Sequence, residues 1–80
     1  MADNRYKVGM KERLRKRFGI KIRELRKAKG LSQERFAEKC GFARTYMSRI
    51  ETGGSNLSLD AIETMAEALQ ISVETLFEGL

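Results

Sequence analysis

Arg44, Thr45, Ser48 and Arg49 fall on a short predicted helix that follows Gly41. An arginine at a helix N-terminus can pair bidentately with guanine O6 and N7, a contact worth about 1–3 kcal/mol of discrimination. Thr45 offers a hydroxyl to any base and a methyl to thymine. Arg49 lies four residues after Thr45 and Ser48 four after Arg44, so each pair shares a face. Arg49 could reach a base or a neighbouring phosphate; Ser48 is either a base-edge contact or a plain surface hydroxyl. Tyr46 is open between packing and a hydrogen bond to phosphate. Ser32 and Gln33 open the preceding helix, where backbone N–H groups and the helix dipole favour an anionic oxygen. Ser55 and Asn56, in the loop beyond, can donate to phosphate or serve turn chemistry alone. The chemistry is noncovalent recognition: base edges read by one helix and phosphates held by its flanks. Two short helices joined by a tight turn have the geometry that fits a DNA major groove.

Catalysis has little to work with. The 80 residues contain no His and a single Cys, so no disulfide framework and no zinc site of the usual kind is expected. There is no Gly-rich phosphate loop; Gly53-Gly54 is too short to count as one. The expectation is a non-enzyme without metal or cofactor. The start is polar with no apolar core, so no signal peptide is expected, and no apolar run approaches the roughly 20 residues that cross a bilayer. A lone thiol suits a reducing compartment, so the expected location is cytoplasmic and no membrane partner is foreseen.

Charge is strongly polarised. The formal net charge is +5. Residues 1–30 carry twelve Lys/Arg against three acids, residues 31–50 four against two, and residues 51–80 six acids with no base. One end should attract polyanions and the other repel them, which suits docking on DNA in one orientation.

The elements that must position these residues are helical. There is no Pro and no Trp, and no alternating strand-like run. Residues 1–10 read as a flexible basic arm, with Arg5 and Lys7 as candidate minor-groove contacts; residues 11–80 form one domain. Leu14, Phe18, Ile22 and Leu25 recur at helical spacing and predict a first helix over Lys11 to Lys29. Gly19 weakens its middle, which brings the start nearer Phe18. Gly30 provides a C-terminal stop. Ser32 caps the second helix, with Leu31 and Phe36 at hydrophobic-staple positions; Phe36, Ala37 and Cys40 face inward, and Gly41 ends it. Small Ala37 lets the second and third helices cross closely.

The third helix runs over Arg44 to Glu51 with Met47 and Ile50 inward, and Ala43 at its cap lacks a side-chain acceptor. After a Gly53–Asn56 turn, Ser58 caps a fourth helix, with Leu59, Ile62, Met65, Ala66 and Leu69 on one face. Ser72 caps a short fifth helix. Leu69, Ile71, Val73, Leu76, Phe77 and Leu80 exceed what a four-helix core needs to bury; an apolar patch of that size marks a dimer interface, the alternative being that all six pack internally. Cys40, Met47 and Met65 are expected in the core. The basic run over Lys11 to Lys29 is expected to act as a general electrostatic field.

Ile22-Arg23-Glu24-Leu25-Arg26, Leu31-Ser32-Gln33, Ala37, Gly41, Ser48-Arg49-Ile50-Glu51 and the stretch from Leu59 to Phe77 together resemble the lambda-repressor/Cro-like (XRE-type) helix-turn-helix family. Arg44-Thr45-Tyr46 and the short length look most like the controller proteins of restriction–modification systems. The resemblance implies an all-α fold, a compact bundle of five helices, binding operator DNA as a symmetric dimer. It further implies that Arg44 and Thr45 contact bases, that Gln33 contacts the backbone and braces the reading helix, and that Arg26 and Glu51 form an ion pair tying the first helix to the end of the third. Two positions depart from the pattern: Ala43 replaces the usual Asp, and Arg49 replaces a small or neutral residue.

The expected function is therefore a sequence-specific transcriptional regulator, homodimeric on a pseudo-palindrome of double-stranded DNA, with RNA polymerase as a further candidate partner. The alternative is an antitoxin-type or phage-type repressor whose main partner is another protein.

Overall fold

At Gly19 the first and third helices are in close contact. A Cβ on Gly19 would collide with the Ile50 carbonyl oxygen and lie 2.7 Å from the Glu51 carbonyl oxygen. The absent side chain lets the first helix lie directly against the last turn of the third. In the computed structural model, which describes residues 13–80, that first helix is α1, Leu14–Ala28. It passes through Gly19 without a break, so the expected start nearer Phe18 is not found: tertiary packing outweighs the glycine's cost of roughly 1 kcal/mol. The arm of residues 1–10, including Arg5 and Lys7, and the Lys11 start lie outside the described residues.

Four more helices follow: α2 (Gln33–Cys40), α3 (Arg44–Glu51), α4 (Leu59–Leu69) and α5 (Val73–Phe77). Their starts follow from local chemistry. The hydroxyls of Ser32, Ser58 and Ser72 each accept the backbone N–H three residues on, from Arg35, Ala61 and Thr75. Each satisfies one of the first-turn donors that the helix itself leaves without a partner. Helix α3 begins at Ala43 with no such acceptor. The joint between α2 and α3 needs Gly41, whose φ of 73° lies in the left-handed region. Helix α4 ends in the same conformation at Gln70, φ 59°, where no glycine signals the stop.

The helices enclose one core of Phe18, Ile22, Phe36, Ala37, Cys40, Met47, Ile50, Met65, Ala66, Leu69 and Leu76. Every helix contributes to it. Phe18 also stacks on Phe77, ring centroids 5.1 Å apart, closing α5 onto α1. Burial pushes the Cys40 thiol up to about 11 from its ordinary 9.0, as expected of a thiol acting as a small hydrophobe.

Two positions assigned to inner faces point outward instead: Leu14 is 51 % and Leu59 83 % exposed. Both stand in the first turn of their helices, and no helix among the described residues covers them. The opposite correction applies to the expected interface. Leu69 and Leu76 are fully buried in the core; only Val73 is exposed, while Ile71, Phe77 and Leu80 are half-buried against that core. Five short helices have few layers, so α4 and α5 use their strongest apolar residues to close the domain itself.

Candidate nucleic-acid interface

Helix α3 has two unlike sides. Met47 and Ile50 are 0 and 1 % exposed and anchor it in the core. Arg44, Thr45 and Arg49 are exposed, and Ser48 is half-buried beside them. The apolar residues fix the helix while the polar ones face solvent, which is the arrangement a reading helix requires. Tyr46 packs its ring edge-on to Phe42 at 5.0 Å. That contact fixes the ring across the α2–α3 turn.

The helix is held at both ends. At its C-terminus, Arg26 of α1 grips Glu51: Nε donates to Oε2 at 2.7 Å and Nη2 to Oε1 at 3.0 Å. Both side chains are nearly sealed from solvent, at 9 and 3 % exposure. Arg26 Nη1 also donates to the Leu31 carbonyl at 2.8 Å, just before α2 begins. One guanidinium thus ties together α1, the entry to α2 and the end of α3. The fork shape of arginine suits three such bonds at once. Thr52 closes the end of α3 by donating its hydroxyl to the Ser48 and Arg49 carbonyls.

At the N-terminus of α3, the brace is Gln33. Its Nε2 donates to Glu51 Oε1 at 3.2 Å, and its Oε1 accepts from Arg44 Nη1 at 3.4 Å. A line of side chains therefore runs Arg26, Glu51, Gln33, Arg44, from the buried ion pair to the exposed tip of α3. The expected pairing of Arg26 with Glu51 is present. The link from Gln33 to Arg44 is not visible in the sequence, because it joins residues on either side of a turn whose shape only the fold defines.

The flanking positions divide. Ser32 is exposed with its oxygen engaged as the α2 cap. Asn56 is exposed in the loop after α3, but Ser55 is turned inward at 7 % exposure and presents no free surface to a phosphate. Of the two roles open to Ser55, phosphate donation is not met, because the loop folds it under.

Charge follows the same division. The basic residues of α1 and α3 contrast with the uniformly acidic set over α4 and α5. Among the described residues no helix is long and apolar enough to cross a membrane.

The comparisons agree with this geometry. The helix-turn-helix family matches residues 22–76, more than half of the chain. The chain is 41 % identical over 70 residues to the control protein C.BamHI of Bacillus amyloliquefaciens, covering 86 % of each. It is 45 % identical over 65 residues to the control protein C.MunI of Mycoplasma sp, covering 80 % of this chain and 88 % of that one. Among solved structures it resembles the restriction–modification controller protein C.AhdI from Aeromonas hydrophila, with a TM-score of 0.76 and 47 % identity over 78 % of this chain and 94 % of that one. With its exposed polar α3 face and relatives of this kind, the chain belongs to the helix-turn-helix family of transcriptional regulators.

Proposed function

We infer that the protein binds double-stranded DNA sequence-specifically in the cytoplasm as a controller of a restriction–modification system. The observation that carries this reading is the two-sided α3: Arg44, Thr45 and Arg49 exposed on a helix whose other side is locked into the core by Met47 and Ile50. Arg44 and Thr45 read base edges. Arg49, with Ser48 beside it, reaches a base or an adjacent phosphate. Gln33, Ser32, Asn56 and the Tyr46 hydroxyl contact the backbone and set register rather than sequence. The protein acts by occupancy, not by catalysis, and its effect on transcription depends on where it sits relative to RNA polymerase.

Two copies bind together. Among the described residues, Leu14, Ile20, Leu59 and Val73 are exposed, and a second copy would cover part of this apolar surface. Two reading helices then enter successive major grooves about 34 Å apart. Selection of bound duplexes from a random pool, with stoichiometry measured on the winner, tests this. A pseudo-palindrome with half-sites about one turn apart, bound by two chains, is expected. Enrichment of no sequence would overturn the reading.

A further inference from the structure

We propose that Glu51, buried at the far end of α3, is a positioning residue for base reading by Arg44 and acts through the amide of Gln33. The inference rests on the reading of Arg44 given above and extends it to a residue that cannot itself reach DNA.

A carboxylate only accepts hydrogen bonds and a guanidinium only donates them, whereas an amide has one end of each kind. Glu51 Oε1 lies 3.2 Å from Gln33 Nε2. Arg44 Nη1 lies 3.4 Å from Gln33 Oε1. Only one orientation of the amide satisfies both neighbours. Turned over, it would set a carbonyl against the carboxylate and an NH2 group against the guanidinium. Glu51 therefore dictates which end of Gln33 faces Arg44.

Glu51 is in turn fixed by two bonds from Arg26, so the polarity at the tip of α3 is set from within the core. Ala43 offers the tip no side-chain cap, and Arg44 is exposed. The Gln33 oxygen limits the orientations of a long side chain before DNA arrives, which lowers the cost of ordering it on binding. The second proton on Gln33 Nε2 is not used by Glu51 and stays available to a phosphate.

The informative variant is Arg26→Met combined with Glu51→Leu, which removes the carboxylate without leaving the guanidinium beside it unpaired. Glu51→Gln is less useful, because its amide oxygen can take the place of Oε1 and still accept from both Arg26 Nη2 and Gln33 Nε2. Without Glu51, nothing inside the domain among the described residues sets which end of the Gln33 amide faces Arg44. The same measurement on Gln33→Met, which removes the relay and leaves Arg26 and Glu51 in place, guards against misfolding of the first variant. Both are made in the wild-type and Arg44→Ala backgrounds, and folding is checked by circular dichroism. Affinities are measured for the selected duplex and for one altered at the base pair whose preference Arg44→Ala abolishes.

The expected result is a loss of discrimination at that base pair of more than about twofold, the lower end for directly contacting residues, and none in the Arg44→Ala background. A uniform loss of affinity across sequences, equal in both backgrounds, would mean that Glu51 and Gln33 act only on the fold or the backbone, and would overturn the proposal. So would unchanged discrimination in Gln33→Met. If wild type prefers no duplex at all, the reading of the site fails as well.

Discussion

Arg26 and Glu51 stand 25 residues apart in the chain and meet through two hydrogen bonds of 2.7 and 3.0 Å inside the domain. The pair joins α1 to the last turn of α3. Its burial makes it a matter of orientation more than of net stability, because desolvation of two charges offsets most of their attraction.

Removing one partner should therefore be costly and removing both much less so. Arg26→Met leaves an uncompensated carboxylate and is expected to lower stability by about 3–5 kcal/mol. Arg26→Met combined with Glu51→Leu should recover much of that loss. Urea unfolding of the two variants checks the order, and a double variant no more stable than the single one would contradict it.

Gly19→Ala places a methyl against two backbone carbonyls that cannot move aside. In a free helix alanine gains roughly 1 kcal/mol over glycine. Here overpacking should outweigh that gain, and a net loss of about 1–3 kcal/mol is expected from the urea midpoint. A stabilised variant would show that α1 and α3 are not in this contact.

Ala43→Ser supplies the missing acceptor at the start of α3. A stabilisation of about 1 kcal/mol is expected, seen as a rise in Tm of roughly 4–8 °C for a domain of this size. An unchanged Tm would show that the first turn of α3 finds its partners elsewhere.

The Cys40 thiol is held at about 11 in the fold against its ordinary 9.0. Below pH 9 it is protonated in both folded and unfolded chains, and its contribution to stability is fully present. As pH rises through 9 towards 11 the unfolded chain ionises first, so stability falls. Urea midpoints from pH 8 to 11 should fall more steeply for wild type than for Cys40→Ala. Parallel curves would contradict the assignment of that slope to the thiol.

Much of this architecture is legible in the sequence because its signals are local. Ser32, Ser58 and Ser72 mark helix starts within four residues, and Gly41 marks the turn. Met47 and Ile50 give α3 its inner side and so, by difference, its outer one. What escaped depends on distant neighbours. An apolar stripe shows that Leu14, Leu59, Leu69 and Leu76 lie on amphipathic helices but not whether another helix covers them, and two of the four lie outside while two lie inside. Gly19 reads as a weak point until Ile50 and Glu51 are seen against it. Gln70 takes a conformation that glycine usually marks. Ser55 and Asn56 are adjacent and similar in chemistry, and only the path of the loop separates the buried one from the exposed one.

If the exposed tip of α3 reads bases, Arg44 is the residue whose removal shows it most directly. Competition titrations should compare the selected duplex with a scrambled one, for wild type and for Arg44→Ala. Because Arg44 is exposed, the substitution should leave Tm unchanged while reducing the preference for the selected duplex by about 1–3 kcal/mol. Residual binding should remain and weaken steeply with salt, as phosphate contacts do. An Arg44→Ala protein that folds normally and keeps the full wild-type preference would contradict the account.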